Sequence, residues 1–194
     1  MGEGQNPAQL REALQIARKQ GLSLPVVYNS SGYEQVETLQ LLDGHIDIYL
    51  PDYKYYSSYY AGLYSHAQDY RDFAVPAIDE MVRQTGAPQF DENGMLTRGT
   101  VIRHLMLPGL GGDTSQILRD IAVRWGNRVL VSLMRQYTPM PGLSGDLARK
   151  ITEEEYHGKA LSSERKRYQR EDRSHGWYHH VPCDGVHPGR EPQH

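Results

Sequence analysis

Residues 46–54 read IDIYLPDYK, a short run that is aliphatic and aromatic except for Asp47, followed by a proline and by Asp52, Tyr53 and Lys54. The run from Ile46 to Leu50 is typical of a buried β-strand, because β-branched and aromatic residues favour the pleated backbone. Asp52 and Lys54 are two positions apart in an extended segment, so their side chains point to the same side. A carboxylate and a cation are therefore predicted to lie together where this strand ends.

Three further runs of the same kind predict strands at residues 25–28, 100–107 and 129–133. Helical periodicity precedes the first of these strands, in a helix from Asn6 and Pro7 to Gly21. It returns between the strands, in one helix from a capping box at Ser31–Glu34 through Leu42 and another from residue 70 to Gly86 that Pro76 should kink or restart. Other signals are a hairpin turn at 91–94, a helix capped by residue 113 or 114 and ending near 125, and a capping box at 152–155.

Alternation of strands and helices predicts an α/β fold with a parallel sheet. About four βα units amount to half of an eight-stranded barrel, so we expect residues 1–161 to form a partial (β/α) barrel. Such a half leaves open edges that a missing segment, a partner or a different closure must cover. The tyrosines between Tyr49 and Tyr64 are expected to pack beneath that missing half.

Residues 162–194 differ in composition from the rest of the chain. They contain no Leu, Ile, Phe, Met or Ala but hold five of the nine histidines. A segment without these apolar residues cannot bury a core, so we expect a disordered polar tail, which a shifted reading frame or an unrelated extension would explain. The tail residues His179, His180, Cys183 and His187 have spacings that fit no standard zinc pattern, which favours incidental composition.

Charge and composition narrow the function classes. The formal net charge of −3 gives no electrostatic reason to expect nucleic acid or a membrane surface as partner. No signal peptide or long apolar run is visible, so the sequence predicts a cytoplasmic protein. The single cysteine, Cys183, excludes an internal disulfide and a cysteine-based cluster or zinc site built from this chain alone.

Polar residues follow each predicted strand, where parallel sheets bind their ligands. The candidate binding residues are Asn29, Ser31, Asp52, Lys54, Arg103 and Gln136. Ser31 has an alternative role in capping a helix, and Asp52 with Lys54 could be an ordinary surface ion pair. Arg103 lies in an apolar strand and needs a partner, either a ligand carboxylate or Asp52. His104 faces the opposite side and is predicted to be a core or interface histidine.

Several ordered blocks of the sequence resemble one family. They are residues 24–33 (LPVVYNSSGY), 36–39 (VETL) with 41–44 (LLDG), 47–55 (DIYLPDYKY), 64–70 (YSHAQDY), 80–84 (EMVRQ), 91–94 (DENG), 98–99 (RG), 101–109 (VIRHLMLPG), 136–137 (QY) and 151–156 (ITEEEY). In this order and spacing, over roughly residues 7–161, they resemble bacterial radical S-adenosylmethionine (SAM) proteins related to pyruvate formate-lyase activating enzyme.

The resemblance implies a partial (β/α) barrel with a [4Fe–4S] cluster that cleaves SAM reductively to a 5′-deoxyadenosyl radical. That radical abstracts hydrogen from a substrate, which for activating enzymes is a glycine of a partner protein. By resemblance, Asn29 and Ser31 line the SAM site and Asp52 and Lys54 contact its ribose and methionine portion. Arg103 is then near the methionine carboxylate, while Gln136 stands where activating enzymes carry a histidine.

The cluster-binding Cys-x3-Cys-x2-Cys motif and the Gly-rich strand of that family do not occur in this sequence. We therefore expect this chain to be the C-terminal part of such an enzyme and to be inactive alone, with no catalytic or metal-binding residues of its own. A separately encoded N-terminal half would restore the enzyme. The competing classes are a non-catalytic remnant or binding module and, with less support, a Schiff-base lyase that uses Lys54.

Overall fold

The computed structural model describes residues 7–156, which form a mixed α/β fold, as predicted. The helices are α1 Pro7–Lys19, α2 Val36–Gln40, α3 Ser58–Ser65, α4 Tyr70–Thr85 and α5 Gly111–Arg124. The strands are β1 Val27–Ser30, β2 Ile48–Pro51, β3 Gln89–Phe90, β4 Leu96–Leu105 and β5 Leu130–Met134. Short 3-10 turns lie at Gly126–Arg128 and Gly145–Ala148, and residues 153–156 are again helical.

Four strands form a parallel sheet in chain order, β1 beside β2, β2 beside β4 and β4 beside β5. The register pairs Val27 with Ile48 and Val101 with Leu130. The short β3 pairs antiparallel with the start of β4, and Asp91 accepts the backbone N–H groups of Asn93 and Met95 in the turn between them. The predicted hairpin turn at 91–94 is therefore confirmed.

One side of the sheet packs against the helices. Tyr49 of β2 joins α2 and α4 in one hydrophobic cluster, and Ile102 of β4 joins α3, α4 and α5 in another. Both strand residues are fully buried. Successive residues of a strand alternate between the two sides, so every second residue contributes to this core.

The other side of the sheet contributes to neither cluster. Most of its apolar residues are in register across the strands and remain at least partly exposed: Val27, Leu50, Val101, Leu105 and Leu130. Ile48, which is in register with Val27, is buried. Asn29, Asp52 and Arg103 lie on the same side, at the carboxyl end of the strands. The sheet therefore has one helix-packed side and one apolar side with a polar end.

Some local predictions are wrong. No capping box forms at Ser31, because α2 begins at Val36 and is five residues long. Helix α5 begins at Gly111, before the predicted caps. Helix α4 continues through Pro76, so the predicted restart does not occur, while the kink stays a prediction. Pro76 is exposed, so the carbonyl that its missing N–H leaves unpaired can reach water.

The tyrosine-rich segment contains a helix that we did not predict, α3. Tyr55 is buried and Tyr60 and Tyr64 pack against the core shared with α4 and α5, on the helix-packed side of the sheet. These tyrosines therefore do not line the apolar side, as the prediction of packing beneath a missing half required.

Both ends of the described chain follow local rules. Pro7 occupies the first position of α1, as predicted, and the capping box at Thr152 is present: its hydroxyl accepts the N–H of Glu155, whose carboxylate accepts the N–H of Thr152. The predictions about residues 162–194 fall outside the described residues. Within residues 7–156, no helix has the length and apolarity to cross a membrane.

Candidate functional site

Three candidate residues meet at the carboxyl end of the parallel strands. Asp52 follows β2 directly and forms an isolated parallel bridge with Arg103 of β4. Its carboxylate accepts a hydrogen bond from Arg103 Nη2 at 2.6 Å, and its other oxygen is 3.9 Å from Lys54 Nζ. The alternating positions of Asp52 and Lys54 thus place both on one side, as expected. Two cations flank one carboxylate at this edge.

Arg103 is only partly satisfied by this arrangement. Its side chain is 26% exposed, and Nη2 is paired with Asp52. Its Nε is buried and has no hydrogen-bond partner among the described residues. An unpaired buried donor costs about 1–3 kcal/mol, so a ligand oxygen that reached Nε would be bound favourably. Asp52 is therefore a partner of Arg103, and Nε stays unpaired at a position that a ligand reaches only if the atoms covering it move.

Asn29, Ser31 and Gln136 surround this edge without contacting the charged group. Asn29 is in register with Leu50, two residues before Asp52, and its side chain is exposed on the same side of the sheet. Ser31 is exposed, and its hydroxyl accepts the Tyr33 N–H at 3.4 Å. Gln136 is exposed two residues beyond β5.

Gly32 explains why the predicted capping box fails. Its φ is +78°, which a helix start cannot use, and a β-carbon built there would lie 2.2 Å from the carbonyl oxygen of Asp52. The neighbouring Ser30, not Ser31, accepts the Gly32 N–H and donates to the carboxylate of Glu34. The loop after β1 is therefore shaped by contact with the segment after β2.

Two buried side chains that were not among the candidate binding residues also shape the site. The carboxylate of Asp113, in the first turn of α5, accepts the backbone N–H groups of Tyr56 and Ser57, both at 2.9 Å. It thereby fixes the chain that leaves Lys54. Tyr70 contacts the backbone of the loops after β1 and β2. Neither contact has a local sequence signal, because each joins distant segments.

His104 is a core residue, as predicted. It is 3% exposed, with Nδ1 2.8 Å from the carbonyl oxygen of Tyr53 and Nε2 2.9 Å from the Thr114 hydroxyl. Because a carbonyl can only accept, Nδ1 carries the proton and Nε2 accepts from Thr114. Burial lowers the pKa of His104, so the neutral ring is the stable form. The imidazole supports the backbone beside Arg103 and does not face the candidate site.

Metal-binding groups are not assembled in the part of the chain that the structure describes. Residues 7–156 contain no cluster of three or more His, Cys, Asp or Glu side chains that could hold a metal ion. Cys183 and the tail histidines lie outside that range. The chemistry that these residues offer is recognition of a ligand carrying an anion and hydroxyl or amine groups.

No protein-family model matches the chain, and no solved structure matches it. An uncharacterized protein of Methanocaldococcus jannaschii is 31% identical over 136 residues, which cover 69% of this chain and 36% of that protein. The chain thus spans about a third of this curated relative and is similar to part of a longer archaeal protein.

Proposed function

We propose that this chain supplies the SAM-binding strands of a radical SAM enzyme resembling pyruvate formate-lyase activating enzyme. The observation that carries the proposal is the group formed by Asp52, Lys54 and Arg103 at the carboxyl edge of a parallel sheet, with the buried Nε of Arg103 still unpaired. These three residues belong to the sequence blocks on which the resemblance rests.

The winding of the chain supports a partial (β/α) barrel. Consecutive parallel strands are neighbours in chain order, and the helices pack on one side of the sheet. A doubly wound sheet reverses its strand order and carries helices on both sides, whereas a barrel keeps the order and places all helices outside. In this proposal the apolar side with Leu50, Val101 and Leu105 is part of a barrel interior.

The side chains present at the edge match the chemical groups of SAM. The partly exposed guanidinium of Arg103 and the Lys54 ammonium are donors for a carboxylate, and Arg103 favours planar anions. Asp52 keeps acceptor capacity for a hydroxyl or an ammonium group, while Asn29 and Ser31 add amide and hydroxyl groups. Bound SAM would supply the hydrogen-abstracting chemistry that the resemblance implies. The residues of this chain bind and orient it.

The iron–sulfur cluster does not fit this chain. A site-differentiated [4Fe–4S] cluster takes at least three thiolates, and the sequence has one cysteine. We therefore assign no step of cluster chemistry to these residues. In this proposal the thiolates come from another polypeptide segment, and the protein substrate that the resemblance implies meets the complete barrel.

SAM should bind the 194-residue chain saturably, and Lys54→Ala should weaken that binding about tenfold, the usual effect of losing one charge-assisted hydrogen bond. Isothermal titration calorimetry with SAM measures both. Lys54 is 44% exposed, so the substitution should leave the fold intact. ATP, which lacks the amino-acid group, should compete poorly.

Lys19→Ala is the matched control, because Lys19 is an exposed lysine in the last turn of α1. Its neighbour Arg18 pairs with Asp47, which precedes β2, so Lys19 lies near the amino end of the strands, opposite the site. It should bind SAM like the unchanged chain. Absence of SAM binding, or equal affinity of the two alanine variants, would contradict the proposal. Anaerobic iron–sulfide reconstitution of the chain should yield no SAM cleavage, which separates binding by this chain from catalysis by a complete enzyme.

The lyase alternative has less support than SAM binding. Schiff-base lysines are activated in apolar pockets or beside another cation, whereas Lys54 is 44% exposed and lies 3.9 Å from Asp52. Borohydride treatment with carbonyl compounds should therefore fail to label Lys54. A non-catalytic binding module would bind SAM in the same way. Addition of a partner that carries the cluster distinguishes the two classes, because it should restore SAM cleavage to half of an enzyme but not to a binding module.

A further inference from the structure

The hydroxyl group of Tyr70 lies where the loops after β1 and β2 meet. Tyr70 opens α4 and is 3% exposed. Its hydroxyl oxygen is 2.9 Å from the carbonyl oxygen of Ser31 and 2.8 Å from that of Asp52, and it accepts the N–H of Lys54 at 3.1 Å. One buried hydroxyl thus contacts the backbone of three candidate site residues.

The hydrogen-bonding capacity of the group explains how it joins the two loops. A phenol has one proton, so it can donate fully to only one carbonyl at a time, while its lone pair accepts from Lys54. Both carbonyl distances are within the range of good O–H···O bonds. The loops of Ser31 and Asp52 therefore share a donor and must stay close to each other.

Packing holds the ring in this position. Tyr33 stacks on it at 6.1 Å between ring centroids, and Tyr55 meets it edge-on at 5.8 Å. A β-carbon built on Gly32 would lie 3.0 Å from the Tyr70 hydroxyl, so the loop after β1 comes as near as a glycine allows. The ring cannot turn away without disturbing these contacts.

We propose that Tyr70 is a positioning residue of the ligand site, because its hydroxyl fixes the backbone of Ser31, Asp52 and Lys54 and so sets where their side chains stand. It acts through the main chain, since its hydroxyl bonds are to backbone atoms. The consequence for SAM affinity rests on the proposed function above, while the consequence for the loops does not.

Tyr70→Phe tests this inference, because it removes the hydroxyl and keeps the ring and its packing. Hydrogen–deuterium exchange should show the Lys54 amide exchanging at least about tenfold faster, since its acceptor is lost. Calorimetry should show SAM binding about tenfold more weakly. Amides in the middle of α4 should exchange as in the unchanged protein.

Tyr49→Phe is the matched control. Tyr49 is also a buried tyrosine, and its hydroxyl donates to Gln84 Oε1 at 2.6 Å, in the contact between β2 and α4. It should change neither the Lys54 amide nor SAM affinity. Unaltered Lys54 exchange in Tyr70→Phe, or an equal loss of SAM affinity in both variants, would overturn the inference. If the unchanged chain fails to bind SAM, the proposed function fails, and the Lys54 exchange rate alone decides whether Tyr70 holds the loops.

Discussion

Replacing Gly32 by alanine is expected to lower the free energy of unfolding by about 3 kcal/mol, the sum of backbone strain and forced overpacking. The φ of +78° disfavours any residue with a β-carbon. The added atom would lie 2.2 Å from the Asp52 carbonyl oxygen, so the backbone after β2 would have to move. Thermal unfolding followed by circular dichroism should show a midpoint lower by about 10 °C for a chain of this size.

Gly44→Ala is the control that separates strain from contact. Gly44 has the same φ of +78°, but a β-carbon there would meet nothing within 4 Å. Gly44→Ala should lower the free energy of unfolding by about 1 kcal/mol, the cost of the backbone conformation alone. The difference between the two variants then measures the close approach at Asp52. If both variants lost the same free energy of unfolding, then the contact between residue 32 and the Asp52 carbonyl would be relieved at no measurable cost.

The pairing of charges at the site could be predicted from a rule that needs no tertiary knowledge. Side chains alternate along an extended chain, so Asp52 and Lys54 had to share one side, and Arg103 and His104 had to face opposite ways. Asp52 was accordingly one of the two partners considered for Arg103, and the structure pairs them. What remained open was the unpaired Nε, because that depends on how three strands approach each other.

The loop after β1 shows why a correct local motif can fail. Ser31 and Glu34 have the spacing of a capping box, but Gly32 between them takes a positive φ to pass the Asp52 carbonyl. Glu34 is then engaged by Ser30 and Tyr28. A contact 20 residues away in the chain thus overrides the local preference for a helix start.

Helix α3 was missed for a related reason. Its eight residues have a weak amphipathic pattern and lie in a run of tyrosines and serines, which do not favour helix strongly. Ser57 caps its start by accepting the Tyr59 N–H, and Tyr60 and Tyr64 stack on its surface and pack against the core. Packing therefore stabilises this helix, and single-sequence patterns do not report packing.

Replacing His104 by glutamine should destabilise the protein by about 2 kcal/mol at pH 8, because Tyr53 and Thr114 lose a well-placed partner in the core. The difference in the free energy of unfolding between the unchanged protein and His104→Gln should become smaller in acid. Burial lowers the pKa of His104 from its ordinary value of 6.5, so the unfolded chain takes up a proton that the folded chain refuses. The contribution of the neutral ring is complete above about pH 6.5 and falls by at most about 1.4 kcal/mol per pH unit below it. Urea unfolding of both proteins between pH 5 and 8 measures the difference.

Thr114→Val separates the titration of the ring from its packing. It removes the hydroxyl that donates to Nε2 but keeps the buried imidazole, whose Nδ1 still donates to the Tyr53 carbonyl. Thr114→Val should therefore lower the free energy of unfolding by about 1 kcal/mol and keep the pH dependence of the unchanged protein. In His104→Gln, the free energy of unfolding should decrease less steeply as the pH falls, because the titrating ring is absent. If the two variants and the unchanged protein all had the same slope, then His104 would titrate equally in the folded and unfolded chains. The support that it gives to the backbone beside Arg103 would then not depend on a neutral ring.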